Sequence, residues 1–351
     1  MTQDAPLRHA IQLLSLGASL SAEESAAAFG AVMRGEATPV QTAALLMGLR
    51  VKGETAAELV GAVHALRCAM VRLETADPDV LVDTCGTGGG AVSTLNISTA
   101  AAFLVAGAGV PVAKHGNRSY TSRSGSADVL EALGVEIALP PARAAAVLQG
   151  VGLVFLFAQN YHPAMRHAGP VRKELGVATI MNLLGPLANP AGVRRQVIGV
   201  SSEDRAALVA EALARLGVVH ALVLHAAIGM DEVSPSGATR VWEVREGEVG
   251  EWTIIPGQHG LECDDLVALA GGAPAENAAR VERLLDGAGH DAERCAVLLN
   301  AAAAIYVSGN GWTFGESVER ARTALESGAG ARVLAALRTA APPSHPSLRS
   351  G

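Results

Sequence analysis

Apolar and polar positions over residues 6–71 recur at helical spacing, with Leu59, Ala62, Val63 and Leu66 three and four apart on one face. Three helix starts carry capping boxes: Ser21 with Glu24, Thr38 with Gln41, and Thr55 with Glu58. Pro39 follows Thr38 at the first helical position, where its missing N–H costs nothing. Gly35 and Gly53 are natural stops. This segment reads as a small helical domain, and by itself it states no function. The polar stretch Glu74–Asp79, containing Pro78, reads as a hinge.

The period then changes. β-type apolar runs at Val80–Asp83, Val110–Ala113, Val151–Phe157, Gln196–Val200 and Ala221–His225 alternate with helical stretches, which predicts a largely parallel sheet with helices on its faces. Phe157–Pro190 breaks that rhythm with helical and Pro-rich pieces and reads as a return into the helical domain. Beyond Thr239 a β-like Arg240–Val244 precedes a loop through Trp252, and helices are expected at Asn277–Leu285, Ala292–Val307 and Ser317–Leu325. The expected fold class is α/β: a small discontinuous N-terminal helical domain (1–71, joined by 162–192) and a larger α/β domain (72–161 and 193–341) with a central, mainly parallel sheet. Residues 342–351, with Pro342, Pro343 and Pro346, are expected to fray. A cleft between the two parts, hinged near 72–79 and 158–192, would be a natural ligand site.

Charge and composition narrow the class. The 351 residues are 50% hydrophobic but 3% aromatic, so the core must be built from Ala, Leu and Val. A net charge of −7 argues against general nucleic-acid binding. Cys68, Cys85, Cys263 and Cys295 show no paired or metal-ligating spacing and read as free thiols in a reducing cytosol. Met1-Thr2-Gln3-Asp4 lacks an apolar leader, and the longest uncharged apolar run, Ala100–Ala113, is too short to span a bilayer. A cytoplasmic protein without membrane contact is expected.

Candidate chemistry concentrates between Asp83 and Asp128. Three small-residue loops lie there: Gly86-Thr87-Gly88-Gly89-Gly90, then Asn96-Ile97-Ser98-Thr99, then Lys114 through Ser126. Glycines let backbone amides close on an anion, and a helix start adds free N–H groups. The Ala-rich stretch Thr99–Ala108 is long enough for a helix, with Ser98 as its expected N-cap. Ser98, Thr99, Ser119, Thr121 and Ser122 add hydroxyls, while Lys114 and Arg118 add charge. Three donor-rich loops within about one βαβ unit point to a phosphate ligand. Further on, Asp231-Glu232 follows a strand and a glycine turn, where adjacent acids suit either a hard cation or an ordinary solvated loop.

The segments GTGG, NIST and KHGNR…SGSAD resemble the signature loops of the anthranilate phosphoribosyltransferases, as do GMDEVSPSG, LGVATIMNLLGPLANPAG, GGAPAEN and AVLLNAAAAIYVSG, in order along nearly the whole chain. The resemblance implies the fold of the nucleoside phosphorylase/phosphoribosyltransferase superfamily. It also implies transfer of phosphoribosyl from 5-phosphoribosyl 1-pyrophosphate to the amine of anthranilate in tryptophan biosynthesis. The loops would hold the donor through Gly86, Thr87, Gly88, Gly89, Gly90, Thr94, Asn96, Ile97, Ser98 and Thr99, and through Lys114, His115, Gly116, Asn117, Arg118, Ser119, Tyr120, Thr121, Ser122 and Ser126. By the same resemblance Asp231, Glu232 and Ser98 would bind Mg²⁺, and Arg172 and Asn117 would contact anthranilate beside Gly86. His115 and His162 would line the aromatic's path, with Pro186 in an apolar wall. A homodimer is expected, and no covalent nucleophile.

Several residues depart from the family pattern: Gly90 and Ala91 replace an Asp and a Gly, Ala178 an Arg, Met181 a Phe, and Ile228 an Asp. The missing carboxylate at Gly90 is expected to alter the Mg²⁺ response. The alternatives are a pyrimidine nucleoside phosphorylase-like enzyme and a non-catalytic nucleic-acid-binding relative. The intact loops and the acidic pair favour the transferase.

Overall fold

The computed structural model describes residues 5–88, 92, 94–119 and 123–343. It opens with α1 (Ala5–Ser15), α2 (Ala22–Met33), α3 (Pro39–Lys52) and α4 (Ala56–Ala69). The three expected capping boxes are all formed, and Gly53 ends α3 at φ 92°. Each box satisfies two orphan amides, and each cap is worth about 1 kcal/mol. Helices α2 and α4 cross closely because Gly61 has no side chain: a Cβ there would lie 2.2 Å from the Ala22 carbonyl oxygen.

The remainder runs β1 (Val82–Gly86), α5 (Ile97–Gly107), β2 (Val112–Gly116), α6 (Ser126–Ala132), α7 (Pro141–Val151), β3 (Leu153–Phe157), α8 (Ala158–Tyr161), α9 (Gly169–Leu175) and α10 (Met181–Leu187). Then follow β4 (Arg195–Gly199), α11 (Glu203–Arg215), β5 (His220–Ala226), β6 (Thr239–Arg245), β7 (Glu248–Ile254), α12 (Pro274–Leu285), α13 (Asp291–Tyr306), α14 (Phe314–Glu326) and α15 (Ala329–Ala340). The sheet order is β3-β2-β1-β4-β5-β6-β7, with the first five strands parallel and the last two pairings antiparallel.

Alternation along the strands feeds two cores. Val197, Leu222, Leu224 and Val241 face a core shared with α5 and α13. Ile198, Ala221, Val223, Trp242 and Val244 face the other, which joins α11 to the buried residues of α1–α4 and to Ala164, Ala168, Ile180, Leu184 and Leu187. The Pro-rich interruption thus packs with the N-terminal helices through its apolar side chains.

Several sequence expectations need correction. The first strand starts at Val82, after a 3₁₀ turn at Pro78–Val80, and β1 and β2 run on through Asp83, Thr84, Lys114 and His115. These polar residues hydrogen-bond to one another inside the core, so the strands continue past the apolar runs. Helix α5 begins at Ile97, with Asn96 in the cap position, and Ser98 lies inside its first turn. The Asn96 side chain is drawn away, donating to the Ser124 carbonyl and accepting from Asn277. The stretch expected as a loop through Trp252 contains β7, an edge strand whose exposure hides any alternation. Its hairpin turns at Glu246 and Gly247, at φ 51° and 87°, a pairing suited to a two-residue turn. Helix α15, whose start is marked by Gly328 at φ 69°, is absent from the sequence expectations. Of the expected tail, residues 344–351 lie outside the described residues.

Candidate active site

The order 3-2-1-4-5 reverses direction between β1 and β4, where ligands of doubly wound sheets gather at the carboxyl ends. Gly86 and Gly199 end these two strands in register. Above them passes the Asp231 backbone, so close that a Cβ on Gly199 would fall 1.5 Å from the Asp231 carbonyl oxygen. A Cβ on Gly86 would come within 3.0 Å of the Asp231 carboxylate. Glycine at these two positions lets the acidic loop settle on the sheet.

The acids bind back to the loops. Gly88, at φ 68°, donates its N–H to Asp231 Oδ2 at 3.1 Å, and Ser98 in the first turn of α5 donates its N–H to Glu232 Oε1 at 3.0 Å. Glu232 Oε2 is buried with no hydrogen-bond partner among the described residues. Burial, reinforced by the Asp231 charge, pushes Glu232 up to about 8. Burial also raises Asp231, against its backbone hydrogen bonds. Two desolvated carboxylates, one with an idle oxygen, beside the Ser98 hydroxyl form a donor set suited to a hard divalent cation. Among the described residues, no cluster of three or more His, Cys, Asp or Glu is arranged for a metal. Any cation here would keep ligand positions for substrate or water.

Lys114 sits within β2, 3% exposed. Its ammonium donates to the Thr84 carbonyl and lies 3.3 Å from both Thr84 Oγ1 and Ser98 Oγ. Burial lowers its proton affinity, and Asp83, Cys85 and Glu232 oppose that shift. Asp83, fully buried on β1, accepts from the His115 amide at 3.1 Å and from Asn189 Nδ2 at 2.8 Å. Asn189 also donates to the Ala113 carbonyl, tying the end of the Pro-rich segment to β2. Asp83, Thr84 and Asn189 carry no role in the sequence expectations. An acid inside an otherwise apolar strand is the available signal for Asp83, whereas Asn189 has none.

The third loop is held from below. Asn117 Oδ1 accepts from the Arg118 amide, while the Asn117 carbonyl accepts from Ser126 Oγ and the Ala127 amide. Arg118 is paired to Glu131 at 2.5 Å and Asp128 at 2.9 Å, which raise its pKa, and it stacks over Phe157. Its sequence context suggests a phosphate grip, but here its guanidinium is engaged by two carboxylates. The Ser119 amide lies 3.3 Å from Asp128 Oδ2. Thr94 forms a bridge to Ala270, and Thr99 is buried within α5. Gly89, Gly90, Tyr120, Thr121 and Ser122 lie outside the described residues.

His115 and His162 pack with ring centroids 5.0 Å apart. His115 Nδ1 faces the Gly185 carbonyl at 3.1 Å, so that nitrogen carries the proton. Burial holds His115 down to about 3 and His162 to about 4. Both are therefore neutral rings at pH 7. Pro186 is buried inside α10, and its carbonyl accepts from Gln196 Nε2. Arg172 lies in the last turn of α9, half-buried, on the helical side of the molecule.

This fold and site define a glycosyl transferase: residues 8–70 match the helical bundle domain of a glycosyl transferase family, and residues 78–331 match its a/b domain. The chain belongs to the anthranilate phosphoribosyltransferase family. It is 50% identical over 322 residues to the anthranilate phosphoribosyltransferase of Thermomicrobium roseum, covering 91% of this chain and 92% of that one. The Thermus thermophilus enzyme superposes with a TM-score of 0.88 at 44% identity, over 94% of this chain and 99% of the other. The Saccharomyces cerevisiae enzyme, solved in complex with PRPP and Mg, gives 0.87 at 27% identity, over 96% and 98% of the two chains.

Proposed function

We propose that this enzyme transfers the phosphoribosyl group of 5-phosphoribosyl 1-pyrophosphate to the amine of anthranilate, giving N-(5-phosphoribosyl)anthranilate and pyrophosphate. The observation that carries this reading is the convergence of the Gly88 and Ser98 amides on the Asp231-Glu232 pair, with the Lys114 ammonium 3.3 Å from the Ser98 hydroxyl beside it. Amide, hydroxyl and ammonium donors beside two buried acids are what a diphosphate and its counter-cation require.

An aryl amine is neutral near pH 7, so its attack on C1 of the ribose needs no strong base. The barrier lies in the departing pyrophosphate. Lys114, Ser98 and the loop amides are the donors for the leaving oxygens, which they would meet on turning from the Thr84 carbonyl and the two acids that now engage them. Asp231, Glu232 and Ser98 would hold Mg²⁺, which when bound neutralises diphosphate charge. Arg172 and Asn117 would take the acceptor's carboxylate and amine, the guanidinium fork suiting a planar carboxylate. His115 and His162, kept neutral by burial, line the acceptor's path as polar surface without adding charge. Cys85 is no nucleophile, because burial pushes its thiol up well beyond its ordinary value.

The proposal includes the division of the chain. Residues 1–71 with 162–192 would form one wall of a cleft, and the α/β domain the other, hinged near 72–79 and 158–192. Closure would carry Arg172 toward the donor. A homodimer is supported by the exposed apolar Leu16, Val40 and Val51 on the α1–α3 side, which are 78–83% accessible. The cytoplasm is the proposed setting, and among the described residues no helix is long and apolar enough to cross a membrane.

The test is a steady-state assay following loss of anthranilate fluorescence with the phosphoribosyl donor and Mg²⁺. Arg172→Ala should raise KM for anthranilate more than KM for the donor. Equal effects on both would remove Arg172 from the acceptor site, and no turnover in the parent protein would sink the proposal.

A further inference from the structure

A cavity of about 280 Å³ opens at the amino ends of β4 and β5, at the opposite edge of the sheet from the acidic pair. Strand register builds its charge. Arg195 on β4 pairs with His220 on β5, and His220 pairs with Arg245 on β6. Cross-strand partners project from the same face, so Arg, His and Arg stand in one row. With strands about 4.8 Å apart, the two arginine Cα atoms are separated by about 10 Å.

The surroundings hold this row in place. His220 Nε2 meets Glu243 Oε1 at 2.7 Å, and the same carboxylate accepts from Tyr306 OH at 3.0 Å and Trp252 Nε1 at 2.8 Å. Arg195 is anchored through the carbonyls of Asp79 and Val307. Its guanidinium lies against Gly309, where a Cβ would come within 2.5 Å of Cζ. Arg245 differs: its side chain makes no hydrogen bond or ion pair among the described residues, although Glu248 is its neighbour in the row and Glu246 also lines the cavity. Burial lowers the proton affinity of Arg195, Asp79 opposes that shift, and the like charges of Arg194 and Arg245 add to it. Tyr306, Trp312, Val219 and two glycines complete the wall.

We propose that this cavity binds a small oxyanion, a phosphate or carboxylate group carried on a compact molecule, gripped between Arg195 and Arg245. Two guanidinium forks on one face, one anchored and one without a partner among the described residues, match the paired acceptor oxygens that both groups present. An anion there would relieve the repulsion between the arginines. The volume admits a ligand somewhat smaller than a drug-sized molecule. Two sources share this chemistry: phosphoryl compounds, including the pyrophosphate that the proposed reaction releases, and carboxylate metabolites.

The test titrates inorganic phosphate and benzoate separately into the full chain at matched ionic strength. The readout is Trp312 fluorescence, taken as the difference between the parent protein and Trp312→Phe. This signal reports the cavity and is independent of turnover at the acidic pair. A saturable change is expected with at least one probe, weakened about tenfold in Arg245→Ala and partly restored in Arg245→Lys, with unchanged KM for both substrates in each variant. A response to phosphate alone assigns the phosphoryl source, and to benzoate alone the carboxylate source. The proposal is overturned if neither probe gives a saturable change up to about 50 mM. An identical titration curve in Arg245→Ala would overturn it equally.

Discussion

Asn300 clamps the backbone of Val233 from both sides: its Oδ1 accepts the Val233 amide at 3.0 Å, and its Nδ2 donates to the Val233 carbonyl at 2.9 Å. A third bond runs from Nδ2 to the Ala296 carbonyl within α13. Glu232 is the residue before Val233, so this buried amide fixes where the acidic pair leaves the core. Asn300→Ala should lower kcat/KM for the phosphoribosyl donor about ten- to a hundredfold and raise the Mg²⁺ concentration needed for half-maximal activity. The loss of folding stability should be about 1–3 kcal/mol. A variant that loses stability yet titrates with Mg²⁺ like the parent would make Asn300 a packing residue alone.

The close approach of Asp231 to Gly199 gives a sharper contrast between two glycines. Gly199→Ala forces the acidic loop off the sheet and should abolish most activity, since the added methyl would sit 1.5 Å from the Asp231 oxygen. Gly150, exposed near the end of α7, has no positive φ, and a methyl group added to it would meet no heavy atom within 4 Å. Gly150→Ala should stabilise the protein by about 0.5–1 kcal/mol with unchanged kinetics. Thermal unfolding and steady-state rates measured on both variants check the pair.

Magnesium and pH should act on Glu232 in opposite senses. Its carboxyl is raised to about 8 in the folded chain from an ordinary value of 4.5, so between these limits the native state binds the extra proton. The stabilisation linked to that proton is complete below pH 4.5 and is lost as pH rises through about 8. A cation replaces the proton, so the rise in Tm on adding Mg²⁺ should be larger at pH 8.5 than at pH 6. Glu232→Gln should flatten the difference. An equal Mg²⁺ shift at both pH values in the parent protein would contradict this assignment.

Stability of the helical domain should depend on Glu58. This fully buried carboxylate accepts from the amides of Leu20 at 2.9 Å and Thr55 at 2.8 Å, and pairs with Lys52 at 3.0 Å. Glu58→Ala takes the acceptor from the buried Leu20 amide and the part-buried Thr55 amide and the counter-charge from Lys52, at a cost of about 3–5 kcal/mol. Urea denaturation gives the number, and a change below about 1 kcal/mol would show that the site relaxes around the loss.

Local elements and the character of the ligand were legible in the order of residues alone. Hydroxyl-x-x-Glu/Gln spacing set the starts of α2, α3 and α4, because a cap involves residues only three apart. Apolar runs placed β3, β4 and β5 to within a residue or two, and glycine- and hydroxyl-rich loops announced an anion. The edge strand β7 escaped because its first four residues are exposed on both faces, leaving no alternation to read there. Tertiary structure alone decided what each donor faces. The Ser98 amide is met by Glu232, 134 residues away, the Gly88 amide by Asp231, 143 away, and Asp83 by Asn189, 106 away. It also decided that Lys114 is buried in a strand and that Arg118 is held by its own carboxylates. Periodicity records which face of an element is apolar. Which distant polar group meets another is set by how the sheet orders its strands, and no local spacing encodes that.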